Sequence, residues 1–387
     1  MQESLDKPAP ANCPSRRTFG SRYAVLATLT WVVLFAVTAA LRTPAQEKTS
    51  PAAPAPPGGS PAQQEENLPT ASKGLNVRVE VVNVPVTVLN KRGMRVIDLT
   101  KDDFQVFEDG VAQNIRYFNR ETQQPLRIGL ILDTSNSSRR QLPFEQDAAS
   151  AFAYTMLRSG NSKNQIFLQT FDATSSINQD FTSDPDLLNE KVQELKSGGG
   201  KALYDAIYFA CREKMLKAGR PEETRRILVI IADGADVQSQ HSLDEAMSMA
   251  RKAETMIYTI GNAAYGYSNP GDKVLEQLAR ETGGASYFPL RVAPGTDMGT
   301  GYLSHGQIGE TSQNKGLGAE TGAYSAERLV RLADSLDAIS HELSEQYEIG
   351  YTPARSALDG TYRSIKVVAS RRGLTLRWKP GYFAASE

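Results

Sequence analysis

The sequence predicts an α/β fold, a doubly wound and mostly parallel sheet, joined to a small β-sandwich-like unit built from the N- and C-terminal flanks of the chain. Three observations predict it. Leu130-Ile131-Leu132 and Ile227 to Ile231 are continuous apolar runs, which suit strands covered by helices on both faces. Around them, segments with apolar residues at helical spacing alternate with further short runs, the pattern of a crossover-connected sheet. Turn-bounded antiparallel patterns are confined to the segments before 120 and after 346, so β strands flank the α/β core.

In chain order, Asn76 to Leu89 reads as a strand with Val77, Val79 and Val81 on one face and Val82, Val84, Val86 and Val88 in the opposite phase. A phase change of that kind implies a β-bulge or a corner between two sheets. Asn90-Lys91-Arg92-Gly93 turns the chain, and Phe104 to Phe107 leads through Asp109-Gly110 into Val111 to Phe118 as a hairpin. Asp102, Asp103, Glu108 and Asp109 read as solvated turn residues, with a calcium site as the alternative. From Leu126 strands and helices alternate. Phe144, Ala148, Phe152 and Met156 mark a helix, Gln165 to Phe171 a strand, and Ser183 with Pro185 the start of a helix burying Leu188, Val192 and Leu195. Ala202 to Ile207 opens another helix, and Ser242-Leu243-Asp244-Glu245 is a capping box before Met247 and Ala250. Met256 to Ile260 is a strand, Val274, Leu275 and Leu278 mark a helix closed by Gly283-Gly284, and Ala285 to Phe288 is a short strand. Gly295 to Gly322 is rich in Gly, Thr, Ser and Gln without period, so about 291–324 is expected to be a mobile surface insertion. Leu329, Leu332, Leu336, Ile339 and Leu343 form the closing amphipathic helix. Tyr347 to Tyr351, Ile365 to Ala369 and Leu374 to Trp378 are strands expected to pair with those of the N-terminal flank.

The expected organisation is therefore residues 1–45 as export signal or membrane anchor, 46–74 as linker, 75–122 as β unit, 125–350 as α/β domain and 351–387 as returning strands. Ser15-Arg16-Arg17-Thr18-Phe19 before the apolar stretch Tyr23 to Leu41 is similar to a twin-arginine export signal, although Gly20 and Ser21 depart from it. The stretch is also long enough to span a bilayer, so a cleaved signal and a retained anchor are both open. The linker is rich in Pro, Ala, Gly, Ser and Gln, a composition that cannot offset ordering entropy by burial. Localisation is expected in the periplasm, cell envelope or outside the cell. With a net charge of −1 and no concentrated basic face, nucleic-acid binding is not expected. Cys13 and Cys211 lie on either side of the export segment, so no structural disulfide is expected.

The chemistry concentrates where the first apolar run stops, at Asp133-Thr134-Ser135-Asn136-Ser137. One carboxylate and two hydroxyls at spacing two are hard oxygen donors, suited to Mg²⁺, Mn²⁺ or Ca²⁺; a helix N-cap is the alternative use of the same residues. The Asp-x-Ser-x-Ser spacing resembles the first segment of the metal-ion-dependent adhesion site of von Willebrand factor type A domains. Gly199-Gly200-Lys201-Ala202-Leu203-Tyr204-Asp205-Ala206 is similar to that family's second loop, and Asp233, ending the second apolar run, to its third. The resemblance spans about 125–350. It implies a divalent metal held by Asp133, Ser135, Ser137 and Asp233, and a protein partner whose acidic residue completes the coordination. The flanks and the ending Lys379-Pro380-Gly381-Tyr382-Phe383 further resemble exported bacterial proteins, best known from Acidobacteria, that carry this domain.

One departure matters. Lys201 stands where the family pattern has a metal-binding Thr, and an ammonium has donors but no lone pair. Three uses are open: metal binding with water in place of the Thr, substitution of the metal by Lys201 holding Asp133 and Asp233, or a lysine turned to solvent. In the second case the partner's acid is held by a charge-assisted hydrogen bond. Two other functions compete with a non-enzymatic binding module. Haloacid-dehalogenase-like phosphatases share the placing of Asp133, a Lys and Asp233-Gly234-Ala235-Asp236, but need a carboxyl acid at position 135, where this chain has Ser135. A scaffold with a defunct site is the third reading.

Overall fold

The computed structural model describes residues 81–120, 124–221, 223–262, 269–289, 322–355 and 359–384, the first seven of helix 322–344 by backbone alone. The expected strand before Val81, the export segment, the linker and the insertion of about 291–324 lie outside the described residues. Three apolar clusters lie within residues 75–387, so this unit holds the cores it needs to fold by itself.

The chain opens with β1 (Val82–Leu89), β2 (Phe104–Glu108), β3 (Val111–Gln113) and β4 (Ile115–Asn119). The α/β part then runs β5 (Leu126–Asp133), α1 (Leu142–Tyr154), β6 (Gln165–Phe171), β7 (Ser175–Thr182), α2 (Pro185–Gln193), α3 (Leu203–Phe209), β8 (Arg225–Ala232), α4 (Leu243–Lys252), β9 (Thr255–Gly261), α5 (Pro270–Thr282) and β10 (Ser286–Tyr287). It closes with α6 (Gly322–Ser344), β11 (Tyr347–Tyr351), β12 (Tyr362–Ala369), β13 (Thr375–Trp378) and β14 (Gly381–Phe383).

The central sheet has the order β10-β9-β8-β5-β6-β7, parallel except for β7. It is the doubly wound sheet that the apolar runs predict. All eight residues of β8 are buried, as a strand covered on both faces requires. One apolar cluster joins the sheet to α1, α2 and α6, the other joins it to α3 and α4. From β5 the chain passes to β6 on one side and later to β8 on the other. That reversal opens a crevice at the carboxyl ends of β5 and β8, the place where open α/β sheets carry their ligands.

Strands from the two flanks form two further sheets, β13-β1-β11-β4 and β14-β12-β2-β3, around Val84, Val86, Val106, Ile349, Tyr351 and Val367. The expected second hairpin strand from Val111 to Phe118 divides at Asn114, where β3 stays with β2 while β4 crosses to pair with β11. Asp109 and Gly110, both at positive φ, make the turn. The polar edge strand β7 has no apolar run to announce it, because an edge strand facing solvent needs none. Glu108 corrects an expectation: it is buried and accepts from Tyr351 Oη at 2.7 Å and Tyr382 Oη at 3.0 Å, with the Arg363 guanidinium at 3.4 Å. Asp103 caps the turn at Thr100, and Asp109 accepts from Ser364, so these carboxylates are committed to loop structure.

Candidate binding site at the ends of β5 and β8

Asp133 is the last residue of β5 and wholly buried. Its Oδ1 accepts from the Ser135 amide at 2.8 Å, an Asx turn that sends the chain sharply off the strand. Ser135 and Ser137 hydroxyls then face each other at 3.0 Å. The short turn Asn136–Ser138 has no side-chain cap from Ser135, and α1 starts only at Leu142, so the N-cap alternative does not describe these serines.

The second loop is laid against the first by backbone hydrogen bonds. Gly198 N donates to Thr134 O at 2.7 Å and Asn136 N to Gly199 O at 3.3 Å, while Ala202 N donates to Asp172 O, just after β6, at 2.8 Å. Gly199 adopts φ +75°, and a Cβ there would also press on the Asp172 side chain. This turn directs Lys201 inward. The residue is 8% exposed, and its Nζ pairs with Asp233 Oδ2 while lying 3.3 Å from Asp133 Oδ2. A solvent-facing lysine is therefore not what the fold contains.

Asp233 follows β8, with Oδ1 accepting from Ala235 N at 3.0 Å and its carbonyl from Asn269 Nδ2 at 3.1 Å. Gly234 at φ +75° lets the chain pass against Gly271, where a Cβ would come 2.2 Å from the Gly271 carbonyl. The following loop folds back on the lysine: Val237 N and Gln238 N both donate to Lys201 O, at 3.0 and 2.9 Å. Asp236 accepts from Tyr204 N at 2.9 Å, and Asp205 binds the His241 ring at 2.6 Å. Burial raises the Asp205 carboxyl, but hydrogen bonds from the Gln240 amide, the His241 ring and the His241 amide outweigh it and hold it below the usual carboxylate range. The sequence reading does not include Asn269 or His241 and holds Asp236 only as part of the phosphatase pattern; the Asn269-Pro270 start signal of α5 is the available clue to Asn269.

The structure thus brings Asp133, Ser135, Ser137, Lys201 and Asp233 into one cluster, with Lys201 Nζ between the two carboxylates. As arranged, these residues do not fit a divalent cation, since the ammonium fills the place where a lone pair would be needed. Asp133 Oδ2 accepts no hydrogen bond among the described residues and lies 3.3 Å from the Lys201 ammonium, which it shares with Asp233.

Residues 128–235 match the von Willebrand factor type A domain. Domains of this family are generally interaction modules, and the matched stretch carries all five residues of the cluster. Among solved structures, the protein BatB of Bacteroides thetaiotaomicron is similar at 17% identity over 49% of this chain and 100% of its own, with a TM-score of 0.34. Proximal thread matrix protein 1 of the mussel byssus is similar at 12% identity over 61% of this chain and 51% of its own, with a TM-score of 0.42. Another structure of that byssus protein has a zinc-occupied adhesion-site motif, and matches at 16% identity over 44% and 43% of the two chains with a TM-score of 0.36. No curated protein matches the chain.

Proposed function

We propose that the chain is an exported, non-enzymatic protein-binding module whose von Willebrand type A site works without a divalent metal, because the Lys201 ammonium takes the cation's place. The observation that carries this reading is the pairing of one buried ammonium with both Asp133 and Asp233. At formal charge the three groups leave one net negative charge, whereas a divalent cation with the same carboxylates leaves none. An acidic partner residue, expected from the family pattern and also for Lys201 in the metal's place, is therefore disfavoured while Lys201 stays between the carboxylates. The accessible edge of the site, Asn136, Ser137 and part of Asp233, suits a partner side chain that donates hydrogen bonds.

Hydrolysis is the weaker reading. Ser135 Oγ faces only Ser137 Oγ, and of the described histidines His241 is bonded to Asp205 while His341 lies beside Glu345. Neither activates a serine. Export rests on the Arg16-Arg17 segment and the apolar stretch behind it, and the Acidobacteria-like ending at Lys379 to Phe383 agrees with it. The binding reading is tested by capturing partners on immobilised residues 75–387 in the presence of a chelator. Capture that persists in chelator and is lost in Asn136→Trp, a change on an exposed residue of the loop face, is expected. Capture that requires Mg²⁺ overturns the metal-free part of the reading, and capture indifferent to Asn136→Trp overturns the choice of face.

A further inference from the structure

Far from the Asp133 cluster, the β unit carries a groove of about 580 Å³ between the turn that follows β1 and the loop joining β12 to β13. Its walls bring together five basic side chains, Lys91, Arg92, Arg95, Arg371 and Arg372, against a single carboxylate, Asp98. Asp98 is taken by Arg371 in a two-oxygen contact at 3.1 Å, and Arg95 is taken by Glu345 at 2.6 Å. Among the described residues, Lys91, Arg92 and Arg372 are left exposed and without an ion-pair partner. Between these cations stand Met94 and Ile97, 53% and 56% exposed.

The arrangement is held by the backbone. Asn90 Oδ1 accepts from the amides of Arg92 at 2.8 Å and Met94 at 3.1 Å, Asn90 N donates to Met94 O at 2.8 Å, and Gly93 sits at φ +74°. Lys91 lies across the second loop, close enough that a Cβ on Gly373 would be 3.0 Å from its Cε.

From the free cations and the two aliphatic side chains standing out among them, we infer that this groove is a docking surface for an anionic membrane. Long basic side chains spread their stems over apolar ground and keep their charges at headgroup level, while exposed aliphatic residues enter the boundary between headgroup and acyl chain. An acidic protein would answer the charge but leave Met94 and Ile97 without use. The chain itself favours contact with a bilayer: the apolar stretch Tyr23–Leu41 lies roughly 40 residues before Val82, a length that reaches up to about 130 Å when extended. The inference does not depend on the metal-free reading of the Asp133 site.

Residues 75–387, which lack the apolar stretch, are sedimented with vesicles of phosphatidylcholine alone and of phosphatidylcholine with phosphatidylglycerol. Binding to the mixed vesicles alone, weakening as salt rises, is expected. Arg92→Gln with Arg372→Gln should lower the partition coefficient roughly 25-fold, about 5-fold per basic residue lost. Met94→Ser with Ile97→Ser should weaken binding while leaving its salt dependence in place. All four residues are exposed, so the variants should retain the native thermal midpoint. No binding to the mixed vesicles, equal binding to both kinds, indifference to the arginine variant, or preference for soluble polyglutamate over the mixed vesicles overturns the proposal.

Discussion

Replacing Lys201 by Met keeps the buried aliphatic stem and removes only the charge, so the variant isolates what the ammonium does. Asp133 is wholly buried, with Oδ1 held by the Ser135 amide and Oδ2 facing Lys201 at 3.3 Å. Without the ammonium, Oδ2 is a buried anionic oxygen with no donor and no cation. Asp233 is 22% exposed and regains water in part, so the cost falls mainly on Asp133. Removing one partner of a buried pair costs about 3–5 kcal/mol, and the partial rehydration of Asp233 places this case near the lower end, about 3 kcal/mol. In a unit of about 300 residues that lowers the thermal midpoint by roughly 5 °C. Calorimetry and denaturant titration of residues 75–387 read both quantities. Adding Asp133→Asn to the variant should restore part of the loss, because the orphaned charge is gone, and the difference is the coupling between the two residues. A loss below about 1 kcal/mol, the level of an exposed pair, would mean that the ammonium does not hold the buried Asp133 charge.

Other expectations follow from the same physics. Arg363→Met leaves Glu108 buried beside two tyrosine hydroxyls without its cation, and should destabilise the β unit by about 3–5 kcal/mol, read by denaturant titration. Burial, reinforced by the Glu342 carboxylate, pushes the Tyr287 hydroxyl from its ordinary value of 10.0 up to about 12. Because the unfolded chain loses this proton first, the contribution to stability is complete below pH 10 and is lost as pH rises from there to about 12. Tyr287→Phe should flatten that part of the alkaline stability profile. Burial pushes the Cys211 thiol up to about 12, so it should not react with a thiol reagent at pH 8 until the chain unfolds.

The sheet was legible because burial on both faces demands uninterrupted apolar runs, and Ile227 to Ile231 can hardly be anything else. Asp133 and Asp233 were legible for a related reason: each is the first carboxylate after such a run, where a strand leaves the core. The meeting of Asp133 with Asp233 depends on β8 lying beside β5, and strand order is not written in any single run. The direction of Lys201 was open in the sequence because it is set by the Gly199 turn together with the amides of Val237 and Gln238, residues close to it only in space. Glu108 reads as solvated in the sequence because its partners Tyr351, Arg363 and Tyr382 arrive from the far end of the chain. β7 left no apolar signature, being an edge strand with exposed polar residues.

Whether Lys201 replaces a divalent cation is read by calorimetric titration of Mg²⁺, Mn²⁺ and Ca²⁺ into native residues 75–387, Lys201→Thr and Asp133→Ala. No saturable binding to the native protein is expected, and binding to Lys201→Thr is, where a hydroxyl oxygen joins Asp133, Ser135, Ser137 and Asp233. Saturable binding to the native protein that Asp133→Ala abolishes would contradict the replacement.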